Sequence, residues 1–154
     1  MAFPQIAADS PQVADVRALL SAHLAVMRSQ SPPESVFALD AAGLVDPAVT
    51  FYTCRRDGRL LAMGALRELS ARHGEVKSMH TAGSARRMGI GRAMLIHLIA
   101  VARDRGYTLL SLETGSMAGF EPARRLYAAA GFAECGPFGD YAASPYSTFM
   151  SLAL

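Results

Sequence analysis

With 154 residues, 51% of them hydrophobic and 18% charged, the chain can bury one substantial core but is short for two, so one domain over residues 1–154 is expected. The formal net charge is +2, and Lys and Arg are scattered apart from Arg55-Arg56, Arg86-Arg87 and Arg124-Arg125, which leaves no basic stripe and argues against nucleic acid as a partner. The longest apolar run, residues 93–102, is too short to span a bilayer, Met1-Ala2-Phe3-Pro4 lacks the basic start of a signal peptide, and Cys54 and Cys135 have neither metal-ligand nor redox spacing; a cytoplasmic protein away from the membrane is expected.

In chain order, a short strand at residues 3–8 precedes Ser10-Pro11, an N-cap with proline at the first helical position. Val13, Val16, Leu19, Leu20, Leu24 and Met27 then recur at helical spacing and predict the first helix. Ser31-Pro32-Pro33-Glu34 restarts the chain as a short second helix to about residue 39, and residues 43–47 read as a loop. Residues 49–56 and 60–69 are strand-like, with Asp57-Gly58 between them as a two-residue hairpin signal. A further strand at residues 75–81 is expected to join the hairpin through a turn at His73-Gly74. From Ile90 a helix runs to Arg105 with Met94, Leu95, Leu98 and Ala102 on one stripe, and Gly106 stops it. A strand at 107–113, a helix at 122–130 ended by Gly131, and strands at 132–138 and 147–152 complete the set.

Between the strand at 75–81 and the helix from Ile90 lies Arg86-Arg87-Met88-Gly89-Ile90-Gly91. Gly89 and Gly91 put no Cβ between backbone and ligand, so successive N–H groups can face a phosphate near the positive end of the helix. Arg86, Arg87 and Arg92 would add charge-assisted hydrogen bonds to a pyrophosphate or ribose phosphate. A Walker loop needs Gly-Lys followed by Ser or Thr, which the chain lacks. A dinucleotide fingerprint needs a third glycine where Met94 stands, although Glu113 lies where a ribose-binding acid would be. That alternative also predicts strand-helix alternation from the start, whereas this chain opens with helices and a hairpin.

Arg86, Gly89 and Gly91 fit the pattern Gln/Arg-x-x-Gly-x-Gly/Ala between a strand and a long helix, and Ala123-Arg124-Arg125-Leu126-Tyr127 followed by Gly131-Phe132 matches the downstream helix and its exit. In these two motifs the chain resembles the GNAT N-acetyltransferases, closely from residue 75 to 152 and earlier through element order alone. The resemblance implies an α/β (α+β) fold: a mixed, mostly antiparallel sheet of about seven strands, splayed into a V and flanked by about four helices. It also implies acetyl-CoA as co-substrate, held with its arm in the V by Met79, His80, Thr81, Arg86, Arg87, Met88, Gly89, Ile90, Gly91, Arg92, Phe120, Arg124 and Tyr127, and no metal. Many members carry Asn where Phe120 stands. The implied reaction is direct transfer of acetyl to a primary amine of a small molecule or peptide in a ternary complex, and a homodimer is a family expectation. A coenzyme A-binding regulatory module without turnover is the alternative.

An alkyl ammonium must lose its proton before it attacks a thioester, because its pKa is near ~10.4. Three residues compete as base: Glu75, placed like the base of some members; Glu113, at the carboxyl end of its strand beside the expected cleft; and His80, whose ordinary pKa lies near neutrality. Tyr127 matches the tyrosine that protonates the departing thiolate. Backbone N–H groups at residues 79–81 would polarise the carbonyl if the strand bulges there. Asp140, Tyr141, Ser144 and Tyr146 fall on a loop between the last two strands, where side chains can shape acceptor choice.

Overall fold

A computed structural model of the chain describes residues 3–154; Met1 and Ala2, part of the opening inspected for a basic leader, lie outside the described residues. Strand β1 (Gln5–Ala8) is followed by helix α1 (Ala14–Gln30), β2 (Val49–Arg56), β3 (Arg59–Ser70), β4 (His73–Thr81), α2 (Ile90–Asp104), β5 (Leu109–Gly115), α3 (Glu121–Ala129), β6 (Ala133–Cys135) and β7 (Ser147–Ala153). The strands form one seven-stranded sheet in the order β1-β2-β3-β4-β5-β7-β6. Only β4 and β5 run parallel, with antiparallel neighbours on both sides, so the repeated parallel crossovers of a dinucleotide-binding sheet are absent among the described residues.

The Asp57-Gly58 hairpin is present, with φ of 53° and 78° at its two central residues, the left-handed pair that matches the twist of the flanking strands. Helix α1 lays Val16 and Leu20 over Phe51, Met63 and Ala65 on one face of the sheet. On the other face, α2 packs Met94, Leu95, Leu98 and Ala102 against Leu66, Val76, Leu110 and Leu112, the stripe expected from its spacing. No helix of the described residues is long and apolar enough to cross a membrane.

Three local expectations are corrected. Helix α1 starts at Ala14 with Val13 at its cap; Ser10 instead accepts the Gln12 N–H through Oγ at 3.1 Å, closing a turn one step earlier. The second helix reduces to a single 3-10 turn, Pro33–Ser35, leaving three α-helices among the described residues rather than about four. A segment this short is not stable as a helix on its own: the turn closes with the Val36 N–H on the Pro33 carbonyl at 3.2 Å, Val36 itself is extended, and the Phe37 carbonyl accepts from the Lys77 ammonium at 3.1 Å. The turn before β4 falls on Ala71 and Arg72, because His73 and Gly74 already pair with Leu109 and Leu110. Gly74 serves packing: a Cβ there would lie 2.7 Å from the ring of Tyr107.

The parallel pairing of β4 with β5 consists of His73 with Leu109, Gly74 with Leu110 and Glu75 with Ser111. Beyond it the strands run on unpaired with each other, β4 to Thr81 and β5 to Gly115, and the sheet opens into the V. Every candidate catalytic group lies at or beyond this point.

Candidate active site

Side chains alternate along a strand, so Glu75 and Lys77 face α1 while Val76 joins the core under α2. The register of β3 with β4 then slips, Met63 pairing with His80 but Ala65 with Lys77. Ser78 and Met79 thus oppose Gly64 alone, a β-bulge in which Ser78 takes φ 56°. Gly64 is required there, since a Cβ would lie 2.8 Å from Met94 Cγ. The bulge takes backbone N–H groups out of the ladder where the strand enters the V, and re-aims Met79, His80 and Thr81 into a groove of about 580 Å³.

That groove continues to Arg86, Arg87, Gly89, Ile90, Gly91 and Arg92. Gly89 caps α2 at φ 74° without a side-chain cap, and no acid stands in the first turn. The N–H groups of Ile90, Gly91 and Arg92 precede the first helical bond, from Ala93 N–H to the Gly89 carbonyl at 3.0 Å, so they and the positive helix end face an anion unopposed. Arg87 also adopts a left-handed φ of 63°. Helix α3 forms the far wall with Ala123, Leu126 and Tyr127, and Phe120 closes its foot. A groove with a phosphate-binding rim and an apolar wall fits a nucleotide thioester.

Two residues expected at this groove stand elsewhere. Met88 is exposed and outside the groove lining. Arg124 donates from Nη1 to the carbonyls of Gly115 at 2.7 Å and Met117 at 3.0 Å, which holds the loop from β5 into α3. Phe120 packs onto Gly115, where a Cβ would lie 2.0 Å from the ring. Gly115→Ala is therefore expected to cost about 1–3 kcal/mol through overpacking and to weaken coenzyme A binding by displacing Phe120; urea denaturation and calorimetric titration of the variant check both.

Adjoining the groove is a small cleft of about 90 Å³, lined by Glu113 and Tyr127 with Lys77, Ser78, Met79 and Phe120 among others. Burial pushes the Glu113 carboxyl above its ordinary value. Burial, followed by the charge of Glu113, pushes the Tyr127 phenol up as well and keeps it protonated. His80 faces His23 of α1, Nδ1 to Nδ1 at 3.0 Å, so one ring donates and the other accepts. Burial pulls both imidazoles down, His23 to about 4, with the neighbouring charge of His80 acting on His23 and that of Arg86 on His80 in the same direction.

Glu75 is 1% exposed. Tyr141 donates to its Oε2 at 2.5 Å, and the Lys77 ammonium lies 3.5 Å from the same oxygen while donating to Tyr141 Oη at 2.9 Å and to the Phe37 carbonyl. Beyond this cluster lies a third cavity of about 500 Å³, lined by Phe37, Leu39, Arg67, Glu75, Phe138 and Tyr141 among others. The segment after α1 and the loop between β6 and β7 thus meet over β4. Sequence reasoning placed Tyr141 on a loop and passed over Lys77, His23 and Arg67. One signal was available: Glu75 and Lys77 sit two apart on either side of Val76, which puts both charges on one face of the strand.

The acetyltransferase (GNAT) family model matches residues 15–132. The chain is 49% identical over 139 residues to the uncharacterized N-acetyltransferase YsnE of Bacillus subtilis (strain 168), covering 90% of this chain and 92% of the relative. It is 47% identical over 139 residues to the uncharacterized N-acetyltransferase YedL of Escherichia coli (strain K12), covering 90% and 87%. In fold it is similar to a Bacillus subtilis acetyltransferase solved in complex with CoA, with a TM-score of 0.73 at 14% identity over 99% of both chains.

Proposed function

From the premise that the chain belongs to the GNAT acetyltransferase family, we propose that it transfers acetyl from acetyl-CoA directly to a primary amine, with Glu113 as base and Tyr127 as acid. The observation that carries this reading is the small cleft in which Glu113 and Tyr127 stand together, sharing Met79, Phe120, Ala123 and Tyr127 with the groove that ends on the first turn of α2.

The N-terminal turn of α2 with Arg86, Arg87 and Arg92 would hold the phosphates, and the apolar wall of α3 the arm. The acceptor would enter from the cavity over β4. Glu113, made more basic by burial, takes a proton from the ammonium; the free amine attacks the thioester carbonyl, whose oxygen is stabilised by N–H groups at the bulge. As the tetrahedral adduct collapses the C–S bond breaks, the Tyr127 phenol donates its proton to the leaving sulfur, and the tyrosinate takes up the surplus proton of the adduct nitrogen, so that the neutral amide and the coenzyme A thiol are released. Glu75, held by both Tyr141 and Lys77, shapes the acceptor side, and His80 is engaged at Nδ1 by His23.

The test is release of coenzyme A from acetyl-CoA across a panel of amines. Tyr127→Phe is expected to lower kcat by about 10²-fold with the KM for acetyl-CoA nearly unchanged, because the hydroxyl acts on the leaving group rather than on binding. Tight coenzyme A binding without turnover on any amine would favour a binding module, and unchanged kcat in Tyr127→Phe would remove this residue from the mechanism.

A further inference from the structure

The cavity over β4 joins an aromatic and aliphatic wall to four acids, Asp46, Glu68, Glu75 and Asp140, and of its two cations, Lys77 and Arg67, only Lys77 has an ion-pair partner among the described residues. Phe37, Leu39, Phe138 and Tyr141 make the body of the wall, with the ring of Tyr141 edge-on to Phe37 at 5.1 Å and to Phe138 at 5.0 Å between centroids. Arg67 lies opposite Glu75 in the β3–β4 register, so their Cβ atoms are about 5 Å apart on the same face. The two side chains nonetheless do not pair: Glu75 is occupied by Tyr141 and Lys77. Arg67 takes part in none of the ion pairs or side-chain hydrogen bonds among the described residues, although it is half-buried.

The neighbouring acids do not use it. Glu68 accepts the Tyr107 hydroxyl at 2.8 Å, Asp46 accepts the Ala48 N–H at 2.8 Å, and Asp140 is exposed at the rim. A planar guanidinium fork left open beside an aromatic wall is suited to a carboxylate. A phosphate dianion would face the same lone cation with Asp46 and Asp140 close by, a poorer balance of charge.

Resting on the acetyl-transfer reading for the role of this cavity, we propose that the acceptor is an amine that also carries a carboxylate on an apolar or aromatic body, with the carboxylate held by Arg67. Phe37, Phe138 and Tyr141 take the body, and the amine lies at the end of the cavity by Phe37 and Lys77, the two residues it shares with the cleft of Glu113.

Three probes of one shape test this: phenylalanine, with amine and carboxylate; 2-phenylethylamine, without the carboxylate; and 3-phenylpropanoate, without the amine. The expected result is that 3-phenylpropanoate binds the protein in calorimetry and competes with acceptor but not with acetyl-CoA. Phenylalanine should exceed 2-phenylethylamine at least tenfold in kcat/KM. Arg67→Gln should weaken 3-phenylpropanoate at least tenfold and erase that preference, with melting temperature and the KM for acetyl-CoA unchanged, and Arg67→Lys should restore part of it. Absence of 3-phenylpropanoate binding, equal use of the two amines, or indifference of both to Arg67→Gln overturns the proposal. Failure of the acetyl-transfer reading looks different: no amine releases coenzyme A, while binding of 3-phenylpropanoate still reports on Arg67.

Discussion

Glu113→Gln should lower kcat by about 10²–10⁴-fold, the range for loss of a positioned general base, without loss of stability. The two halves of this expectation come from the same cause. Burial raises the folded-state pKa of Glu113, so the native protein favours the protonated carboxyl. The resulting destabilisation is absent below the unfolded carboxylate pKa, grows as pH rises, and is complete above the folded pKa. At neutral pH a neutral Gln therefore relieves a cost, and its melting temperature should equal or exceed that of the parent. In the parent, kcat/KM should rise with pH through the raised pKa of Glu113; in Glu113→Gln that limb should vanish, and activity should partly recover at alkaline pH where the amine loses its proton unaided. Pre-steady-state and steady-state rates from pH 5 to 10, with thermal melts on the same samples, decide it. A variant with parent kinetics would return the role of base to Glu75.

The second large effect concerns folding. Lys77 and Glu75 have side chains 7% and 1% exposed, and removing one partner leaves a charge with no water to replace it. Glu75→Gln and Lys77→Met should each cost about 3–5 kcal/mol. The double variant should cost less than the sum, because neither charge is then stranded; in a double-mutant cycle by urea denaturation the coupling should be clearly favourable. Tyr141→Phe removes one hydrogen bond to Glu75 and should cost about 1–3 kcal/mol, as for a buried acceptor left short of a donor. Additive losses across the cycle would mean that the two residues act separately. The cycle also separates structure from chemistry, since a variant that folds at low temperature can be assayed for coenzyme A release there.

Much of this architecture was legible in the residues because it is enforced locally. Asp57-Gly58 can hardly be other than a tight hairpin, the 3.6-residue stripe of α2 matches what it buries, and Gly89 with Gly91 marks the start of that helix. The extent of the second helix was not legible, since its proline start is genuine as the turn Pro33–Ser35, whereas the residues after it are held by a contact forty residues on, the Phe37 carbonyl with Lys77. The bulge at Ser78 depends on register against β3 and on Gly64 beneath Met94, neither of which a single strand reveals. The site divides in the same way. The glycine turn that starts α2 is local and was legible in the spacing, whereas the contact of Tyr141 with Glu75, like the meeting of Arg67, Phe37 and Phe138, is made by topology. Arg124 shows the converse error: a charged residue in the right motif is consumed by two backbone carbonyls.

The short parallel join between β4 and β5 also has a mechanical meaning. The sheet is two ribbons, β1–β4 and β5 with β7 and β6, clipped at His73–Glu75 and Leu109–Ser111 and held elsewhere by helices lying across them. Such a clip has its stiff end at the register pairs and its compliant jaws at Thr81 and Gly115. A body seated between the jaws becomes a strut, so donor binding should stiffen both ribbons together. Amide exchange along residues 76–81 and 112–115 should then slow on adding coenzyme A, and exchange near the clip should change little. The far end of the sheet holds the register that sets Glu75 opposite Arg67.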